Sequence, residues 1–271
     1  MFYSNIKKIF SSYDPQRAWA LFWNYIKIII LNRLPKIKNS NFVNFLGFRI
    51  EFPYRPAFFG LITEIFFQPF YNLKPSAEKL KIFDCGSNIG IRTLYFKWLY
   101  PNASFICFEP NPTVLKYLEE NITSNHIENA EIHSVALGAQ EGMITLYRGD
   151  GVRGSGSSSV IQSGTLKNEN SVSVPVKKLS DYIEGVVDIV KLDVEGVEGD
   201  ILEDLSKSGK LKNIRSFIIE YHFDGSTLKY PLSHIEDILT QDGFHITKTP
   251  LEAYNTKVEP VLYTCMIYAT R

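Results

Sequence analysis

The sequence, 271 residues long, has little of what marks several function classes. It holds only three cysteines, Cys85, Cys107 and Cys265, each inside an apolar strand-like run. None has a zinc-ligand spacing or a disulfide framework around it, and buried thiols in a reducing cytoplasm are expected. Neither sign of charge is in surplus, Lys plus Arg and Asp plus Glu being 29 each, which excludes a general field for nucleic acid. No internal repeat and no secretory leader pattern is visible, and no apolar run reaches the roughly twenty uninterrupted residues of a spanning helix. The nearest, Ala18 to Leu34, is broken by Asn24, Lys27, Asn32 and Arg33.

What is present is an ordinary globular composition, 45% hydrophobic and 21% charged, in a chain long enough to bury a large core. The even charge hides an asymmetry. Residues 1–40 carry Lys7, Lys8, Arg17, Lys27, Arg33, Lys36 and Lys38 against Asp14 alone, a net +6 that leaves −6 for the rest. This basic, aromatic-bearing stretch suits either a helix packed on the remainder of the chain or one lying on an anionic membrane surface. Peripheral membrane contact through residues 1–40, at the inner face of a cytoplasmic membrane, is therefore an expectation alongside plain packing.

Helical signals run over residues 1–35, a hairpin signal from Asn41 to Pro53, and a helical stretch from Pro56 to Tyr71, with Pro75 closing an extension over residues 1–75. Over residues 76–271 strand and helix signals alternate, which argues for βαβ units and a mostly parallel sheet. Strands are predicted at Lys81 to Cys85, Ser104 to Phe108, Glu131 to Ser134, Val187 to Leu192, Ser216 to Tyr221, His245 to Thr249 and Tyr263 to Tyr268. Helices fall at Ile91 to Tyr100, Pro112 to Asn125, Gly199 to Lys210 and Leu232 to Gln241. An insertion after the third strand holds strand-like runs at 143–147 and 172–176 and a Gly/Ser-rich loop, Gly149 to Ser159. With Arg148 and Arg153, that loop suits either a lid or a passive linker.

The chain is organised around K-I-F-D-C-G-S-N-I-G, Lys81 to Gly90. A strand ending in a carboxylate, two glycines four apart and a following helix make a cofactor turn, with Gly86 and Gly90 admitting a ligand close to the backbone. A dinucleotide turn would need G-x-G-x-x-G, but Ser87 and Asn88 follow Gly86 and the middle glycine is missing. Asp84 disfavours a diphosphate and suits the sulfonium and ammonium of S-adenosylmethionine.

These residues, with F-E-P-N-P at 108–112, V-A-L-G at 135–138 and D-I-V-K-L-D-V-E-G-V-E at 188–198, resemble the FkbM-type methyltransferases over about residues 80–225. The resemblance implies an α/β, Rossmann-like class I methyltransferase sheet, mostly parallel with its last strand antiparallel, following the N-terminal helical and hairpin extension. It also implies S-adenosylmethionine-dependent O-methylation of a sugar, polyketide or other metabolite hydroxyl. The alternatives are an NAD-type oxidoreductase and a methyltransferase-like scaffold that binds without turnover.

Ligands of open α/β sheets sit beyond the strands' carboxyl ends. Expected cofactor contacts are Asp84, Gly86, Ser87, Asn88 and Gly90, Glu109 on ribose hydroxyls, and Val135 and Ala136 beside the adenine; Asn111 should cap the next helix. The densest cluster is Lys191, Asp193, Glu195 and Glu198 after strand four, joined by Glu220 and His222, which share one face of strand five. Carboxylates this close need positive compensation. Catalytic candidates are Asp193, Glu195, Glu220 and His222, with Asp193 or His222 as general base and Glu195 and Glu220 holding substrate. A divalent cation such as magnesium would be held by Asp193, Glu195 and Glu220. The plainer alternative has Glu195 and Glu198 stabilising a helix N-terminus, with Lys191 paired to one of them.

Overall fold

Apolar runs too short for helices, set between turn residues, pair into the central sheet, and the amphipathic segments between them cover its two faces. The computed structural model describes residues 2–33, 41–67, 79–148, 158–159, 171–223, 230–255 and 262–271. The extension comprises α1 (Phe2–Ser12), α2 (Pro15–Arg33), β1 (Phe42–Phe45), β2 (Phe48–Glu51) and α3 (Arg55–Phe67). There follow β3 (Lys81–Cys85), α4 (Ile91–Leu99), β4 (Ser104–Phe108), α5 (Pro112–Thr123), β5 (Ala130–His133), β6 (Ala136–Leu137), β7 (Gly142–Arg148), β8 (Ser158–Ser159) and β9 (Ser171–Lys177). The chain ends with β10 (Ile189–Leu192), α6 (Glu198–Lys207), β11 (Ser216–Phe223), α7 (Leu232–Gln241), β12 (His245–Lys248), β13 (Glu252–Asn255) and β14 (Leu262–Thr270).

The main sheet has the order β12-β14-β11-β10-β3-β4-β5, with β13 beside β14. Strands β3, β4, β5, β10 and β11 are parallel, and β14 runs antiparallel to β11 and β12. Both the parallel sheet and the reversed last strand therefore match the expectation. The chain leaves β3 toward β4 and β5, then returns to place β10 on the other side of β3. That reversal opens a crevice at the strands' carboxyl ends, between β3 and β10.

Three short strands, β6, β8 and β13, escaped the sequence reading. β6, two residues long, and β13 show no alternation of their own and are strands because a longer neighbour offers its edge. β6 joins β9, β7 and β8 in a separate sheet of order β6-β9-β7-β8, with its own small core of Ala136, Leu146, Val174 and Val176. The insertion is thus a second sheet leaning on the end of the first. Most of the Gly149 to Ser159 loop, and Pro75, lie outside the described residues.

Each face of the main sheet carries one core. α6 and α7 cover Phe83, Val190, Leu192, Phe217 and Ile219. On the other face α4 and α5 share a core with the extension, whose buried residues include Leu21, Tyr25, Phe45, Phe58, Ile62 and Phe66. Polar ties reinforce the join. Tyr13 donates its hydroxyl to the Phe66 carbonyl at 2.8 Å and lies 3.1 Å from the Tyr95 hydroxyl. Asn121 on α5 and Asn125 in the turn just after it treat β2 as a strand edge. Asn121 accepts from Glu51 N at 2.6 Å and donates to Glu51 O at 3.0 Å, while Asn125 does the same with Arg49 at 2.8 and 2.7 Å. Asn121 also donates to Ile89 O at 2.7 Å, linking the hairpin to the cofactor turn. No helix among the described residues is long and apolar enough to cross a membrane.

Asn121 is fully buried, so Asn121→Ala strands backbone groups that water cannot reach. It is expected to cost about 2–3 kcal/mol, read as a lower urea midpoint, with Asn125→Ala costing less because that site is half-buried.

Candidate active site

The turn after β3 is closed from below. Gly86 has φ +79°, and a Cβ there would stand 1.8 Å from the Asp193 carbonyl oxygen, so the turn packs backbone to backbone on the end of β10. The buried Lys191 ammonium donates to Gly86 O at 2.8 Å and Cys85 O at 3.1 Å. Gly90, at φ +83°, starts α4 where a Cβ would meet Leu118 Cδ1 at 2.8 Å. The space a Cβ would occupy at both glycines is thus filled by the protein itself, while Gly86 also lines the cleft above.

An open cleft with a cavity volume of about 80 Å³ lies above the turn. Gly86, Asn88, Glu109, Val135 and Ala136 line it, together with Asp193 and Glu195, so five of the eight expected cofactor residues meet at one surface. The small sheet contributes Leu137 and Leu146, which sequence reasoning did not single out. Asp84, Ser87 and Gly90 lie beneath the cleft. Asp84 is fully buried, accepts from Thr93 Oγ1 at 2.6 Å and faces Lys191 at 3.5 Å. Its role is to fix the turn from inside, which corrects its placement against a bound cation. Ser87 likewise turns inward, donating to the Asp84 carbonyl at 2.6 Å.

Glu109 accepts Asn88 N–H and Asn111 N–H, each at 2.8 Å, and burial outweighs both bonds to push its carboxyl up to about 7. Asn111 caps α5 as expected, accepting from Thr113 N at 2.9 Å.

The compensating charge for the acidic cluster comes largely from Arg92, to which sequence reasoning gave no role. From the first turn of α4 its guanidinium reaches Asp193 at 2.7 Å, Glu220 at 2.9 Å and Glu64 at 2.7 Å. Its position two residues after Gly90 was the available signal. Glu64 belongs to α3, so the extension supplies part of the site. Lys191 pairs with Asp193 at 3.3 Å and with Asp84, not with Glu195 or Glu198 as the plainer alternative held.

His222 sits among four carboxylates. Its Nδ1 is 3.2 Å from Glu198, and its Nε2 lies 3.8 Å from Glu195, 3.8 Å from Glu220 and 3.9 Å from Asp193. All four expected catalytic residues therefore converge. Burial would lower the imidazole's proton affinity, but the hydrogen bond with Glu198 and the charges of Glu195, Glu198 and Asp193 raise it well above its usual value. Burial would raise Asp193, yet Lys191, Arg92 and His222 hold it below the usual carboxylate range. Burial raises Glu195, and burial with the Asp193 charge raises Glu220 to about 7. Glu198, almost fully buried, accepts from Gly196 N at 3.1 Å and ties the loop before α6. Glu195 itself has φ +58°, a conformation that is uncommon outside glycine.

The expected metal set does not fit. Glu220 is held by Arg92, and among the described residues the carboxylates that converge with a third ligand are Asp193 and Glu195, with His222. In that trio Asp193 already bears Arg92 and Lys191, and His222 holds a proton that a metal would have to displace. The three cysteines are buried, and burial pushes Cys107 to about 12 and Cys265 to about 11, which leaves no reactive thiolate.

Residues 84–246 match the model of the methyltransferase FkbM domain. The chain belongs to the FkbM methyltransferase family. That domain is the domain of an S-adenosylmethionine-dependent methyltransferase. Curated relatives of this FkbM chain include Methyltransferase 1 of Beauveria bassiana, 31% identical over 163 residues, covering 52% of this chain and 65% of the relative. Methyltransferase sdnD of Sordaria araneosa is 25% identical over 222 residues, covering 71% and 84%. A solved FkbM methyltransferase from Methylobacillus flagellatus is 15% identical with a TM-score of 0.47, covering 72% of this chain and 45% of that one. The chain thus spans just under two thirds of the Beauveria relative and less than half of the solved protein.

Gly86→Ala must move the end of β10, whereas Gly90→Ala meets only the tip of a leucine. Thermal denaturation should therefore place Gly86→Ala lower, by about 2 kcal/mol or more relative to Gly90→Ala.

Proposed function

We propose that this chain transfers a methyl group from S-adenosylmethionine to a hydroxyl of a sugar, glycan or secondary metabolite. One observation carries the choice of cofactor. The cleft is lined by Glu109, Asp193 and Glu195 and by no basic side chain among the described residues. Anionic walls favour a sulfonium, an ammonium and ribose hydroxyls, and disfavour the diphosphate of NAD. Glu109 would take the ribose hydroxyls, with Val135, Ala136, Leu137 and Leu146 forming an apolar slot for the adenine. When bound, the cofactor supplies an electrophilic methyl carbon on positive sulfur.

What remains for the protein is alignment, exclusion of water and removal of a proton from a poor nucleophile. Glu195 suits the last task better than Asp193 or His222. Asp193 is held ionised by two cations and binds a proton weakly, and His222 already carries one near neutrality. Glu195 borders the cleft and has a raised proton affinity, so it can accept the hydroxyl proton as the acceptor oxygen attacks. Imidazolium at His222, 3.8 Å away, then keeps its carboxylate ionised until needed. A hydroxyl acceptor is supported by the same cluster, which offers carboxylates and an imidazole to a polyol.

Calorimetry is expected to give binding of S-adenosylmethionine and its demethylated product, and none of NAD; the reverse removes this reading. Glu195→Gln should lower kcat by about a hundredfold or more with product affinity within a few-fold. Full activity in that variant would exclude the assigned base. Turnover should rise with pH as Glu195 and Glu220 ionise, the latter near 7, and fall on the alkaline side as His222 loses its proton. A chelator is expected to leave the rate unchanged. Mass spectrometry of extracts from cells with and without the active protein, seeking a compound heavier by one CH₂, identifies the acceptor.

A further inference from the structure

α2 has two apolar sides, and among the described residues only one is covered. Ala18, Leu21, Tyr25 and Ile28 are buried against the domain. The opposite side presents Trp19, 52% exposed, Trp23, 62%, and Ile30, 55%, and α1 adds Phe10 at 41%. Phe10, Trp19 and Trp23 form one continuous aromatic ridge with Phe22. Phe10 stands edge-on to Trp19 with centroids 4.9 Å apart, Trp19 stacks on Trp23 at 6.4 Å, and Phe22 fills the space between them at 5.6 and 5.2 Å. Exposed Lys7 and Lys8 flank the ridge on α1, and Lys27 lies one turn beyond Trp23.

From this geometry we infer that the ridge is a docking surface for an anionic lipid membrane, on which α1 and α2 lie flat. Tryptophan places an apolar ring and a polar N–H at the headgroup boundary, where both are satisfied. The exposed lysines meet lipid phosphates and carboxylates. Neither helix contains an acidic residue, and Asp14 lies between them, so nothing on α1 or α2 repels such a surface. The same fact argues against a second copy of the chain, because a twofold interface would set this basic ridge against itself. α2 lies on the surface and does not pass through it, since its outward face is interrupted by Lys27.

The test uses the full chain with vesicles of phosphatidylcholine containing about 30% phosphatidylserine. Co-sedimentation and a blue shift of tryptophan emission are expected, both weakened about tenfold in pure phosphatidylcholine or at high salt. Trp19→Ser with Trp23→Ser should reduce binding at least as much, with circular dichroism and methyl-donor binding unchanged. Lys7→Glu with Lys8→Glu, which leaves the aromatic ridge intact, should also release the protein. Absence of sedimentation, or equal binding by the variants, overturns the inference. So does a dimer in analytical ultracentrifugation that the tryptophan variant dissociates, which would assign the ridge to self-association.

Discussion

Two cations shielded from solvent hold the crevice together. Arg92 and Lys191 lie below the cleft and between them contact Glu64, Asp84, Asp193 and Glu220, carboxylates brought from α3, β3, the residue following β10, and β11. Removing one member of such a buried set typically costs about 3–5 kcal/mol, because its partner is left charged in a poor solvent. The ends of β3, β10 and β11 are therefore positioned by the same charge balance. It also sorts the acids by function. Asp193, held by both cations, is fixed as an anion, whereas burial raises the proton affinity of Glu195 and brings that of Glu220 to about 7.

This balance explains why some of the site was legible in the sequence and some was not. A strand of alternating or continuous apolar residues announces itself locally, and β3 and β4 run over the residues expected. The convergence of Asp193, Glu195, Glu220 and His222 follows from parallel neighbours sharing a carboxyl end, a topological fact that a βαβ pattern carries. Which way a side chain turns at the end of a strand is decided by its partners. Asp84 faces inward because register sets it beside Lys191, and nothing in residues 81–90 encodes that. Arg92 was unread for a related reason. An arginine in the first turn of a helix looks like a solvated residue until Glu64 and Glu220 are placed around it.

The extension is part of the same machinery. Its aromatic core continues the core under α4 and α5, Asn121 joins its hairpin to the turn at Ile89, and Glu64 completes the ion network. A shift of α3 would therefore be felt at Asp193 through one guanidinium, and events on the outer face of α2 have a packed route to the crevice.

The small sheet stands apart from this coupling. Its core of Ala136, Leu146, Val174 and Val176 is separate from the two that line the main sheet, while Leu137 and Leu146 face the cleft. Changes at Leu146, Val174 and Val176 carry little penalty for the rest of the molecule, since distant, unshared contacts add independently, whereas Leu137 packs in the core beneath α6 and α7. Evolution can therefore retailor this wall by insertion, deletion or exchange while the charged floor stays as it is, and a laboratory seeking altered selectivity should randomise there first.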